Sequence, residues 1–168
     1  MVKDINSNGN AIEANSDFID LNGVLLFTAR ASNLAYKQLW KSDGTSEGTT
    51  FIKTINPNYD AQINNPLVFG NKLYFTTYIN NSSELWVTDG TADGTSEVKK
   101  INPSGNSNVN NLFIFQNKIY FTANDGIHGD ELWRTDGSNA GTEMVNDFFP
   151  GSGGGVLENQ LLIKTTLF

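Results

Sequence analysis

The residues best suited to chemistry are a few carboxylates, one histidine and a set of aromatics. Glu84 and Glu131 each open a Glu-Leu-Trp tract, and a pair of carboxylates is the pattern of glycoside hydrolysis. The third such tract begins with Gln38, so a structural role fits all three better and no catalytic residue is assigned. His128, the only histidine, stands between Asp125 and Asp130. A histidine beside two carboxylates suggests metal binding or acid–base work. Gly126 and Gly129 mark a turn there, and the matching stretches 30–37 and 78–83 hold no histidine. His128 therefore stands as a candidate ligand contact, with Asp125 and Asp130 as candidate metal ligands. Asp43, Asp89 and Asp136 each precede a glycine, Gly44, Gly90 and Gly137. Loop carboxylates of this kind could bind calcium, but their recurrence in every copy suits an aspartate that caps its own turn. No loop carries the alternating acidic ligands of an EF-hand. Trp40, Trp86 and Trp133 could stack on sugars, although a tryptophan recurring in a strand suits packing between units. Tyr36, Tyr59 and Tyr78, scattered through loops, are the better candidates for ligand contact. No cofactor is indicated.

These residues are positioned by a repeat. The stretch from Glu84 to Thr95, Glu-Leu-Trp-Val-Thr-Asp-Gly-Thr-Ala-Asp-Gly-Thr, returns at Gln38 and Glu131, with the tryptophans 46 and 47 residues apart. Such a period signals stacked supersecondary units. Gln/Glu-Leu-Trp-x-Ser/Thr reads as a short strand, Asp-Gly as a tight turn, and the second Gly-Thr as the start of another strand. The strand after this hairpin recurs at 52–56, 98–102 and 145–149, and residues 2–6 match it without a hairpin before them. Earlier in each unit come a first strand (18–21, 67–69, 112–115), a two-residue turn (Asn22-Gly23, Gly70-Asn71, Gln116-Asn117) and a second strand (24–28, 72–76, 118–122). The second strands hold consecutive apolar residues where a half-exposed strand would alternate. Both of their faces must be covered.

Four antiparallel strands per repeat, covered on both faces, predict an all-β fold of the β-propeller type, with four-stranded blades stacked radially. Residues 1–6 read as the last strand of a split repeat, 7–56 as repeat 1, 57–102 as repeat 2 and 103–149 as repeat 3. Residues 150–168 supply the first two strands of the split repeat, because 156–165 align with 114–123. The leading and trailing strands are thus expected to share one blade, within one chain or between two, which makes a homo-oligomer possible. Lys3, Lys53, Lys99 and Lys100 lie in the last strands, where lysine discourages edge-to-edge pairing.

The twelve-residue unit resembles the ELWxxDGT repeat of large bacterial proteins, often surface-associated. That resemblance covers most of the chain. It implies a propeller-like or related β-repeat architecture, a bacterial surface or secreted setting, and no established enzymatic activity.

Charge and composition narrow the partners. The chain has 168 residues, a formal net charge of −7 and no cysteine. An acidic chain repels phosphates, so nucleic acid is not an expected partner. No apolar run is long enough to span a bilayer, and the N-terminus does not have the form of a signal peptide. Without cysteine there are no disulfides, thiolate nucleophiles or cysteine metal sites. The expectation is a non-enzymatic module for binding or scaffolding, through protein–protein interaction or adhesion. The second reading is a lectin-like propeller with a glycan ligand, and a hydrolase comes third.

Overall fold

The structure is a computed structural model, and it describes residues 1–13, 16–148 and 150–151. Among these the fold is all-β, with no helix and three four-stranded antiparallel sheets. The first sheet holds β1 (Phe18–Leu21), β2 (Val24–Ala29), β3 (Gln38–Ser42) and β4 (Thr50–Lys53). The second holds β5 (Asn64–Phe69), β6 (Lys72–Ile79), β7 (Ser82–Thr88) and β8 (Ser96–Glu97). The third holds β9 (Asn110–Phe115), β10 (Lys118–Asn124), β11 (Asp130–Thr135) and β12 (Glu143–Asn146). In each sheet the strands neighbour one another in chain order, as short hairpin connections require.

The turns follow from residues that tolerate a left-handed backbone. Asn22 and Gly23, Gly70 and Asn71, and Gln116 and Asn117 all have positive φ at both positions, the geometry of the two-residue hairpin that matches strand twist. Asn80 and Asn81 form a further such turn, at φ 52° and 63°. This corrects the expectation of a loop over 78–83, because Tyr78 lies inside β6. Pro66, which cannot donate to a ladder, falls where the β5–β6 register shifts between Asn64 and Leu67.

The sheets stack face to face through two apolar seams. Leu21, Leu26, Leu39 and Ile52 of the first sheet meet Leu73 and Phe75 of the second. Tyr74, Leu85 and Val87 of the second meet Ile119, Phe121 and Trp133 of the third. Successive residues of β6 thus serve opposite seams, and Leu73, Tyr74 and Phe75 are all buried. Each fully buried Leu or Phe contributes roughly 1.5–3 kcal/mol. Trp86 packs into the seam toward the first sheet and Trp133 into the seam toward the second. Trp40 faces away from the second sheet, clustered with Phe27, Ala29 and Ile5. There Phe18, Phe27, Trp40 and Phe51 lie directly opposite one another across all four strands.

Three expectations change. The last strands begin earlier than the repeat pattern suggests and are shorter, because pairing starts directly after the Gly-Thr of the loop; β8 keeps only Ser96 and Glu97. Residues 1–6, expected as a strand, are not in one. The lysines of these segments are not edge guards: Lys53 and Lys99 tie one sheet to the next, Lys3 ties the N-terminal segment to the first sheet, and Lys100 bonds Glu84 of its own repeat. Lys3 Nζ donates to the carbonyls of Ser46 (3.2 Å) and Thr49 (2.8 Å). Lys53 Nζ donates to those of Ala92 (3.1 Å) and Thr95 (2.7 Å) in the next repeat. Lys99 Nζ donates to that of Thr142 (2.7 Å). The trailing strands expected over 156–168 lie outside the described residues.

Candidate functional site

The two ends of the stack differ in chemistry. One end carries the β1–β2 turns and the Asp-Gly loops. There Asp43 Oδ1 accepts the backbone N–H of Thr45 at 2.9 Å and its hydroxyl at 2.7 Å. Thr45 Oγ1 in turn accepts Gly48 N–H at 2.9 Å. Thr49 Oγ1 donates to the Thr45 carbonyl at 2.6 Å and lies 2.8 Å from Ser42 Oγ. The second repeat has the same network on Asp89, Thr91, Gly94 and Thr95, and the third on Asp136, Ser138, Gly141 and Thr142. Bonding to these hydroxyls holds all three aspartates below the usual carboxylate range. A Cβ at Gly94 would stand 2.0 Å from Asp89 Oδ1, so the second glycine of the motif makes room for the carboxylate. Gly44, Gly90 and Gly137 sit at φ 90°, 85° and 94°, where a side chain is strained.

The other end carries the β2–β3, β6–β7 and β10–β11 connections, with the segments that lead from one sheet to the next laid against them. Ala61 N–H donates to the Lys37 carbonyl at 2.8 Å and Val109 N–H to the Ser83 carbonyl at 3.1 Å. The first motif residue stands here, and its three versions behave differently. Gln38 is closed into a knot: its Oε1 accepts the N–H of Ile55 (2.8 Å) and Asn56 (3.3 Å), while its Nε2 donates to the Asn56 carbonyl (2.7 Å). Glu131 Oε2 accepts Phe148 N–H at 3.2 Å, and its Oε1 is buried without a partner among the described residues. Glu84 bonds through Oε1 to Ser82 Oγ and to Lys100 Nζ, and its Oε2 is buried without a partner there. Beside it Glu97 Oε1 is also buried and unpartnered. Burial, and next the Glu84 carboxylate, push Glu97 above the usual carboxylate range, against a smaller opposing pull from Lys100. Glu84, Glu97 and Lys100 line a cleft of about 560 Å³ together with residues 79–82 and 103–106.

The remaining candidates fall into separate places. His128 Nδ1 lies 2.7 Å from Asp125 Oδ2, and the N–H groups of Ile127 and His128 both donate to Asp125 Oδ1 at 2.9 Å. The Asp125 hydrogen bond holds His128 above its ordinary value. Burial alone would raise Asp125, but bonding to His128 and Ile127 keeps it low. Asp130 instead accepts Asn108 Nδ2 at 3.1 and 3.2 Å. His128, Asp125 and Asp130 are therefore not gathered on one point, and the described residues hold no group of three or more His, Cys, Asp or Glu placed for a metal ion. Tyr36 and Tyr59, scattered in sequence, come together with ring centroids 6.2 Å apart. The Tyr78 carbonyl accepts Asn56 Nδ2 at 2.8 Å, at the same end. Glu84 and Glu131 lie in different sheets, each bonded within its own repeat.

Sequence reasoning missed Glu97 and Lys100 as site residues. A signal was present, since Glu97 stands where the other repeats carry Phe51 and Met144, opposite the motif tryptophan. Lys100 stands where they carry Thr54 and Asp147. No protein-family model matches the chain, and no curated protein matches it.

Proposed function

We propose that this chain is a non-enzymatic binding or scaffolding module. Its three sheets would be blades of a β-propeller, and its partners would be met at the end bearing the β2–β3, β6–β7 and β10–β11 connections. One observation carries this reading. The polar network of the Asp-Gly loops repeats and closes within each loop, whereas at the other end the first motif residue changes its partners from repeat to repeat. A scaffold keeps its framework constant and varies its rim. The resemblance to ELWxxDGT repeats agrees with it, and suggests protein–protein contact or adhesion in a bacterial surface or secreted system. The test is a panel of aryl glycosides with wild type, Glu84→Gln and Glu131→Gln. No turnover is expected; turnover that either substitution abolishes would replace the module with a hydrolase.

A lectin is the second reading, favoured by the Tyr36–Tyr59 pair beside amide-rich turns. A glycan array separates the two, because a lectin would bind a defined glycan and lose it in Tyr36→Ala. Ring closure is proposed to pair residues 1–6 with the segment after 150, within one chain or between two copies. Light scattering and thermal melts on the full chain and on one lacking residues 1–6 test this. A monomer whose stability is untouched by the deletion would rule it out.

A further inference from the structure

We propose that the cleft beside the β6–β7 turn binds a primary ammonium group through Glu84 and Glu97. The inference deepens the binding reading and rests on it. Glu84 is 1 % exposed, and its Oε2 has no hydrogen-bond partner among the described residues although Glu84 lines the cleft. Glu97, half-buried, lines the same cleft, and its Oε1 is likewise buried without a partner among the described residues. A buried carboxylate oxygen without a donor is costly, and two of them belong to residues that line one cleft, set just beneath its surface where a small side-chain movement opens them to a ligand.

Charge then selects among donors. Two carboxylates stand against one ammonium, Lys100, which already bonds Glu84 Oε1. A ligand that supplies N–H donors together with a positive charge satisfies both oxygens and the charge. A neutral sugar would bring donors but leave the charge buried. A divalent cation takes six or more oxygens, and here it would compete with Lys100. The volume of about 560 Å³ admits an alkyl chain behind the ammonium, and Asn81 and Asn106 on the rim can bond to polar groups at the far end of that chain.

The site belongs to the second repeat alone. At the place of Glu97 the first repeat has Phe51 and the third has Met144. Gln38 at the place of Glu84 is already bonded at both ends of its amide. A position that is structural in one copy and left open in another, with a second carboxylate added beside it, has the form of a built site. Burial and Glu84 hold Glu97 partly toward its protonated form. An arriving ammonium favours the carboxylate, so affinity should rise with pH as Glu97 ionises.

The ammonium could belong to a small amine or to a lysine side chain of a peptide. The experiment is titration of the full chain, by calorimetry and amide NMR shifts, with 1,4-diaminobutane and with Nα-acetyl-lysine amide. Nα-acetyl-norleucine amide, glucose and calcium chloride are the controls. Saturable binding of either amine is expected, weakened roughly tenfold or more in Glu84→Gln and in Glu97→Gln. It should be unchanged in Glu131→Gln. Glu84→Gln copies the residue of the first repeat, so its melting temperature reports that the fold is kept. Binding of both amines means the ammonium suffices, and binding of the lysine derivative alone assigns a peptide side chain. The proposal is overturned if neither amine binds, if glucose or calcium takes the cleft instead, or if affinity ignores both substitutions. The glycoside panel is independent of this titration, so a hydrolase would be recognised whatever the amines do.

Discussion

Gln38 and Glu84 hold the same place in two copies of one unit, yet one closes the chain and the other leaves it open. Gln38 uses both ends of its amide on the backbone of Ile55 and Asn56. Glu84 has no N–H to offer, so it cannot tie a carbonyl. Its Oε1 turns to Ser82 and Lys100 instead. The strand beyond it is also the shortest of the three, although Val98 N–H still donates to the Leu85 carbonyl at 2.9 Å. Leu39 still pairs with Lys53, and Leu132 with Asn146, whereas β8 ends at Glu97. The carboxylate alone does not open this place, because Glu131 at the same position still accepts the Phe148 N–H; the second repeat differs in adding Ser82 and Lys100 as partners of Glu84.

The contrast can be broken most strongly from the first repeat. Gln38→Glu should lower stability by about 3 kcal/mol at neutral pH. It would place a buried charge against the Asn56 carbonyl, and the loss should shrink as pH falls and the carboxyl is protonated. Urea denaturation at two pH values measures this, and a neutral outcome at pH 7 would mean the knot is not a closed one. Next come the loops, where the two repeats agree. Gly48→Ala and Gly94→Ala should each cost roughly 1–3 kcal/mol, because either Cβ would stand 2.0 Å from an aspartate oxygen. Either change should become nearly harmless once its aspartate is also replaced by alanine, a coupling that a double-mutant cycle reads directly.

Lys53→Met, which keeps the stem and removes the ammonium, should cost about 1 kcal/mol, seen as a small drop in melting temperature. Smallest is a change of slope. Glu97 has a raised value when folded, so the stability given by its protonated form is complete below the ordinary carboxylate value. It is lost as pH rises through the higher folded one. Glu97→Gln should remove that decline in a pH series of chemical melts. The loop aspartates run the other way, because their values are lowered. Their contribution is present above the ordinary value and lost as pH falls through the folded one.

Much of the architecture was legible because the repeat is written in local signals. Asp-Gly, Asn-Gly and the apolar run Leu73-Tyr74-Phe75 each dictate a turn or a covered strand without reference to distant residues. What was not legible depends on register between sheets. Lys53 looks like an edge lysine until the loop of the following repeat is seen to bring the Ala92 and Thr95 carbonyls to it. Glu97 escaped for a different reason, lying outside the motif in a two-residue strand. Its role appears only when the three repeats are laid against one another. Tyr36 and Tyr59 met through the Lys37–Ala61 hydrogen bond, a pairing no local pattern announces.

The lysine ties also say something about how such a chain can change in length. The first and second units carry the ammonium, Lys53 or Lys99, at one side and accepting carbonyls at the other, so the contact is head-to-tail. Neither half is self-complementary. A contact of this kind can be continued by any number of copies, and only the angle between successive units decides whether the array closes or extends. Duplicating either of these units in the gene adds both a new donor and a new acceptor, leaving no seam unmatched. In the third unit Asn146 stands where Lys53 and Lys99 stand in the others. Insertion of a further copy should therefore be tolerated between the first and second or the second and third units, and resisted after Asn146 unless that residue is returned to lysine.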